Sequence, residues 1–298
     1  MVELTFLGTS HAVPTKDRNQ VSILLSYGSE NILIDCGEGT QRQFKIAGLN
    51  AQKLTKILIT HWHGDHILGL PGLLQTLALG NYSKALDIYG PRGTKKYLEA
   101  ILSMFIFREK IKVDVHEIDE GNFFENKDFF LEAYRMDHVS PCLAYSFVQK
   151  PKFRVNMAKL KKEGVEQGPW LKEIQEGKDM KFKNKIISAK KFTSPIPGKK
   201  ITFILDTAFN KNCVEASKNA DIVVGEACFL DERKDLAEER KHLTAKEIAT
   251  AAKKAGAKRL ILLHISQRYS GKEKLVLDEA RKTFKNSELA KDFMKIEV

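Results

Sequence analysis

Residues 56–66 read KILITHWHGDH: a short apolar run from Lys56 to Thr60, then His61, Trp62, His63, Gly64, Asp65 and His66. The run has the length and apolar content of a buried strand, and the loop after it places four groups able to bind a metal within six residues. An extended or turning backbone points His61 and His63 to the same side, whereas a turn at Gly64 swings Asp65 and His66 towards a second position. One loop can thus serve two metals. Imidazole and carboxylate without thiolate suit zinc, with manganese or iron as substitutes, and an open coordination position implies catalysis. A lone histidine is more often an ordinary core or surface residue. The chain holds only eight histidines, however, so chance does not readily produce this spacing.

A binuclear centre needs further ligands, each at the end of a strand facing the same cleft. His138 follows FFLEAYRMD, Asp206 ends ITFIL and His264 ends RLILL, and all three obey that rule. His116 also ends an apolar run, IKVDV, but no comparable loop follows it and we read it as structural. Around these positions VELTFL, SILLSY, NILIDC, LDIYG, ITFILD, DIVVGEA and RLILLH read as strands, and IKVDVHEI, FFLEAYRM and LAYSFV as a meander of strands. Helices are expected at Thr40 to Ala47, Pro71 to Leu79, Gly93 to Met104 and Ala245 to Ala255. The last is marked by Thr244 and Glu247 at its start and Gly256 past its end. So many strands with helices on both flanks predict an α/β (α+β) protein with two sheets packed face to face between helical layers.

Composition removes other classes. With 298 residues, 43% hydrophobic and 29% charged, the chain can bury a core without disulfides and is neither collagen-like nor disordered. No apolar run approaches the roughly 18 residues of a membrane span, and the start MVELTFLGTSH lacks the features of a signal peptide, so the expected location is cytoplasmic. Cys36, Cys142, Cys213 and Cys228 form no C-x-x-C pair and read as buried thiols. The net charge of +11 is concentrated: residues 150–200 hold fifteen Lys and Arg against five acids, and the rest of the chain carries about +1. Gly164, Gly168, Pro169, Gly177, Pro195 and Pro197 interrupt the same segment too often for long regular elements. We read it as a protruding, basic, flexible arm. A solvated surface excursion is the plainer meaning of such a run.

With these residues in place, the chain resembles the metallo-β-lactamase fold superfamily and, within it, the ribonuclease Z family of tRNA 3′ endonucleases. HWHGDH at 61–66, with His138, Asp206 and His264 as later ligands, is similar to the superfamily motif. That likeness implies an αββα four-layer sandwich holding two zinc ions. Narrower features resemble the nuclease: Pro14, Thr15, Lys16, Asp17, Arg18 and Asn19 as its P-x-K-x-R-N loop, DCGEGTQRQ at 35–43, EACF at 226–229, HLT at 242–244 and HISQRY at 264–269. The basic segment with Gly168 and Pro169 is similar in position to that family's tRNA-gripping arm, implying one catalytic domain over 1–298 interrupted at about 150–195. The family often has His before the Glu of the late motif, whereas this chain has Gly225, which removes one local hydrogen bond.

The resemblance implies that His61, His63 and His138 hold one zinc, Asp65, His66 and His264 the other, with Asp206 bridging. Asp65 would also take a proton from the attacking water, and Glu226 with His242 would form a pair that protonates the leaving ribose 3′-oxygen. Lys16, Arg18, Asn19 and Arg268 would meet the substrate near the cut, and the arm, through Gly168 and Pro169, the body of precursor tRNA. Trp170 and Phe153 could stack on bases, but covering a small apolar cluster in the arm is the favoured role. The expectation is therefore a zinc-dependent endoribonuclease that removes the 3′ trailer and leaves a 3′-hydroxyl, working as a homodimer. A thioesterase, lactonase or phosphodiesterase of the same fold is the alternative, and a hydrolase of thioesters or lactones has no use for a +10 arm. A silent RNA-binding protein is disfavoured because all seven ligands are present.

Overall fold

Strands that are apolar on both faces must be covered on both sides, and several strands here are buried along their whole length, among them Ile222–Glu226 and Leu260–Leu263. The structure is a computed structural model and describes residues 1–106, 111–165, 168, 170–182 and 185–298. One seven-stranded sheet has the order Lys295–Glu297, Val2–Gly8, Ser22–Tyr27, Glu30–Ile34, Lys56–Leu58, Ala85–Gly90, Lys112–Glu117. The other has Ser287–Leu289, Leu260–Leu263, Ile222–Glu226, Lys200–Ile204, Cys142–Gln149, Phe129–Met136, Gly121–Glu125. The strands Glu30–Ile34 through Lys112–Glu117 run parallel, as do those from Lys200–Ile204 to Ser287–Leu289.

On one side of the first sheet, Leu24, Leu33, Ile57 and Ile88 pack with Phe44, Leu73, Leu77 and Leu98 from the helices Thr40–Ile46, Leu70–Leu79 and Thr94–Ser103. On one side of the second, Ala144, Ile204, Val223 and Leu262 pack with Cys213, Ile248, Ala252, Val276 and Ala280 from Lys211–Ser217, Ala245–Lys254 and Lys274–Thr283. The remaining faces meet each other. Tyr145 is fully buried and its hydroxyl donates to the Ile59 carbonyl at 2.7 Å, while Phe147 packs edge-to-face on Tyr27 at 5.5 Å. This is the expected sandwich of two sheets between helices.

The meander reading needs correction. Lys112–Glu117 closes the first sheet beside Ala85–Gly90, and the chain then crosses to the second sheet through Gly121–Glu125, a strand the sequence pattern did not separate. Apolar alternation marks a strand but does not say which sheet will pair with it. The Ala245–Lys254 helix does have its capping box: Thr244 Oγ1 accepts from the Glu247 amide, and the Glu247 carboxylate accepts from the Thr244 amide. All four cysteines are free and buried. Among the described residues no helix is long and apolar enough to cross a membrane.

The chain divides into two units. Met1–Phe124, Leu131–Phe147 and Lys200–Val298 make the first, and Glu125–Phe130 with Val148–Lys199 the second. The second is built from short pieces: Lys152–Val155 pairs with Thr193–Ile196 and Met180–Phe182 with Lys185–Ile187, and among its described residues no helix exceeds the six residues of Met157–Lys162. Leu160, Val165, Ile174, Met180, Ile187, Ala189 and Phe192 form a core of its own, with Trp170 half-buried against it.

Candidate metal centre

In open parallel sheets, sites form beyond the C-terminal ends of strands, and the first unit concentrates its polar residues there. His61 follows Lys56–Leu58, His138 follows Phe129–Met136, Asp206 follows Lys200–Ile204, and His264 follows Leu260–Leu263. The loop carrying His61, His63, Asp65 and His66 is pinned by Trp62, whose indole donates to Thr94 Oγ1 at 2.9 Å, and Gly64 then opens a one-turn helix.

Two sets of donor atoms converge. In the first, His61 Nε2 and His63 Nδ1 are 2.9 Å apart, His138 Nε2 is 3.2 Å from His63 Nδ1, and Asp206 Oδ2 is 3.6 Å from His61 Nε2. In the second, Asp65 Oδ2 lies 3.4 Å from both His66 Nε2 and His264 Nε2, and Asp206 Oδ1 lies 3.5 and 3.2 Å from the same two nitrogens. The two Asp206 oxygens therefore face different sets. Four ligands at about 2.0–2.1 Å from one tetrahedral cation stand about 3.3–3.4 Å apart, close to the spacings seen here. His66 Nε2 and Asp206 Oδ1 are buried and have no hydrogen-bond partner among the described residues, as atoms reserved for a cation would be. The donor set fits a metal.

Surrounding groups fix which nitrogen two of the imidazoles offer. His66 Nδ1 donates to Asp35 Oδ2 at 2.6 Å, leaving Nε2 for the centre. His138 Nδ1 donates to the Lys241 carbonyl at 2.9 Å, with the same result. Asp35 is fully buried and sits at φ 55°, a left-handed conformation held by bonds from the Thr60 amide and hydroxyl, both at 2.7 Å. Neither Asp35 nor Lys241 was singled out for a role from the sequence. Asp35 lies in the quoted DCGEGTQRQ stretch, but a carboxylate at a strand end carries no local mark of the imidazole it will orient.

Burial alone would neutralise the carboxylates. The imidazoles around Asp206, chiefly His264, His66 and His242, instead hold it well below the usual carboxylate range, and His66 and His264 do the same for Asp65. Ionised carboxylates supply negative oxygen ligands, and a cation would bind there as the imidazoles release their protons.

Glu226 and His242 come together next to the second set. Glu226 is fully buried, and its Oε1 accepts from the Thr207 and Leu243 amides at 2.8 and 3.1 Å. Its Oε2 accepts from His242 Nδ1 at 2.9 Å. Burial opposes charge on His242, but Glu226 and Asp206 outweigh it and raise the ring above the ordinary histidine value. Gly225 is explained by its neighbour: a Cβ there would stand 2.4 Å from Ile248 Cγ1, so the Ala245–Lys254 helix occupies the space a side chain would need.

The Pro14–Asn19 loop differs from expectation. Arg18 is turned inward, 8% exposed, donating to Thr9 Oγ1 at 2.6 Å and the Ala290 carbonyl at 2.7 Å. Its Nη1 group is thus committed inside the protein, where it braces the loop. Asn19 is a second brace, its side-chain amide donating to the Glu38 carbonyl at 2.8 Å and its backbone amide to Asp292 at 2.7 Å. Lys16 is exposed at the loop tip. Arg268 is exposed too, lying over the Phe229 ring at 5.1 Å. In the second unit a Cβ on Gly168 would meet the Trp170 indole at 2.4 Å, so this glycine lets Trp170 lie close. Pro169 lies outside the described residues. His116 bonds to Asp87 at 2.9 Å and stacks on Tyr89, a structural placement. His11 was passed over in the sequence, yet its ring stands beside His242 and His264, where burial and the His264 ring lower its pKa to about 4.

Residues 2–157 match the family model described as anti-Pycsar protein Apyc1, which reaches His138 but stops before Asp206. A relative named ribonuclease Z from Methanosarcina mazei is 36% identical over 300 residues, covering 100% of this chain and 98% of its own. The crystal structure of the short form of human tRNase Z superposes with a TM-score of 0.71 at 29% identity, covering 99% of both chains. The metallo-β-lactamase fold protein YhfI from Bacillus subtilis, 18% identical with a TM-score of 0.71, covers 100% of this chain and 99% of its own and shares the fold.

Proposed function

This chain belongs to the ribonuclease Z family over its whole length and to the anti-Pycsar Apyc1 family over residues 2–157, and on that premise we propose how its cleft cuts precursor tRNA. The protein is an endoribonuclease that processes tRNA 3′ ends. The observation that carries the reading of the site is the division of Asp206, with Oδ2 towards His61 and His138 and Oδ1 towards His66 and His264. His61, His63 and His138 would hold one zinc ion, Asp65, His66 and His264 a second, with Asp206 shared; manganese or iron can substitute. When bound, such a pair supplies Lewis acidity to a phosphate oxygen and brings the pKa of a water from about 15.7 towards about 7.

The chain's own groups do the rest. Asp65, whose Oδ2 faces the second donor set, accepts a proton from the water that attacks phosphorus. The bond from phosphorus to the ribose 3′-oxygen breaks, and that oxygen takes a proton from His242, which Glu226 orients and keeps charged. The products are a tRNA with a 3′-hydroxyl and a trailer with a 5′-phosphate. Lys16 and Arg268 remain available for phosphates near the cut. The second unit, carrying most of the net charge, grips the folded body of tRNA through phosphates and shape, acting as the arm of a single catalytic domain. A homodimer acting in the cytoplasm completes the reading, with sedimentation equilibrium as the check on its mass. Incubation with a 3′-extended tRNA transcript, followed by mapping of both new ends, tests the reaction: a 3′-phosphate on the tRNA would refute the direction of cleavage.

A further inference from the structure

Between the strand Val2–Gly8 and the Pro14–Asn19 loop lies the short segment Thr9 to Val13, and the fold holds it from two sides. The Thr9 carbonyl accepts from the His264 amide at 2.9 Å, and the His11 amide donates to the Ile265 carbonyl. From the other side, the Thr9 and Ser10 amides donate to the Asn19 carbonyl at 3.0 and 2.8 Å, and the Gln20 side chain donates to the Ala12 carbonyl at 2.8 Å. The place of the His11 ring is thus set by the same contacts that seat His264. That ring packs edge-on, with centroids 5.0 Å from His264 and 5.5 Å from His242.

Among the described residues, four rings surround His242: His11, His138, His264 and Phe229. His138 is committed to the Lys241 carbonyl and the first donor set, His264 is fully buried with Nε2 facing Asp65 and Asp206 and Nδ1 facing Glu226 at 3.5 Å, and Phe229 has no polar atom. Among the described residues no hydrogen bond engages either ring nitrogen of His11. If His242 protonates a ribose 3′-oxygen, the same sugar brings its 2′-hydroxyl, on the adjacent carbon, against a group next to His242. His11 is the neighbour with a nitrogen to offer. A 2′-hydroxyl both donates and accepts, and it distinguishes RNA from DNA at that position.

We propose that His11 is a specificity-determining residue that hydrogen-bonds the ribose 2′-hydroxyl next to the scissile bond. The assignment rests on the reading that His242 faces the leaving oxygen. The test pairs enzyme variants with an altered substrate under single-turnover conditions, using wild type, His11→Ala, His11→Phe and His242→Ala. The substrates are a 3′-extended tRNA and the same RNA with one 2′-deoxy residue at the nucleotide that supplies the leaving oxygen. Wild type should cut the deoxy substrate roughly three- to tenfold more slowly, the worth of one hydrogen bond. His11→Ala and His11→Phe should show that same loss on the all-ribose substrate and no further loss on the deoxy one. Losses that multiply, or a wild-type rate for His11→Phe, which keeps the packing and lacks the nitrogen, would overturn the proposal. A wild-type rate for His242→Ala would remove the premise instead, so the two failures are distinguishable.

Discussion

Replacing Asp35 with Asn tests whether the tautomer of one imidazole sets metal affinity. Asp35 Oδ1 accepts from the Thr60 amide, while Oδ2 accepts from the Thr60 hydroxyl at 2.7 Å and from His66 Nδ1 at 2.6 Å. The introduced amide can keep its oxygen on Thr60 N, but it then directs an NH2 group at the nitrogen that had been the donor. His66 relieves this conflict by moving its proton to Nε2, the atom that faces Asp65 and Asp206, and so loses the lone pair a cation needs. Loss of such an orienting partner costs about 10- to 100-fold in metal affinity, or about 1.4–2.7 kcal/mol. The figure agrees with about 1.5–3 kcal/mol for a hydrogen bond to a charged group. Competition against a chromophoric chelator should show one of two binding steps weakened by that factor and the other unchanged. Circular dichroism would confirm that the fold persists. Asp35→Ala leaves three buried donors unpaired, at about 1–3 kcal/mol each, and should lower the melting temperature as well. A folded Asp35→Asn protein that binds both ions as tightly as wild type would refute the reasoning.

Other outcomes follow from the same geometry. His242→Ala and Glu226→Gln should slow cleavage of precursor tRNA about 100-fold or more, yet leave hydrolysis of bis(p-nitrophenyl) phosphate nearly intact, because that leaving group needs no proton. Equal loss on both substrates would contradict the proton-donor role. Deleting residues 152–192 should weaken precursor tRNA binding and flatten its salt dependence while sparing the small diester; a filter-binding titration at several salt concentrations against a colorimetric assay separates the two. Gly225→His should destabilise the fold by about 1–3 kcal/mol by forcing Ile248 aside. In urea unfolding, Gly225→His combined with Ile248→Ala should cost less than the sum of the two single variants, and strict additivity would mean that the clash is not the cause.

Several features were legible in the sequence because they depend on near neighbours or on composition. The loop after KILIT needs only a strand and a turn to bring His61, His63, Asp65 and His66 together, and the capping box at Thr244 and Glu247 spans one helical turn. His138, Asp206 and His264 were reachable because a polar residue at the end of an apolar run has a recognisable pattern, and the charge of residues 150–200 is a matter of counting. Tertiary structure decided what no local pattern encodes. It turned Arg18 into a brace, gave Lys112–Glu117 to the first sheet, set Asp35 behind His66 and the Lys241 carbonyl behind His138, and stood His11 beside His242. Each of these depends on which strand ends meet at one edge, a choice made by pairing and packing between distant segments, and hydrophobic periodicity marks the strands without naming their partners.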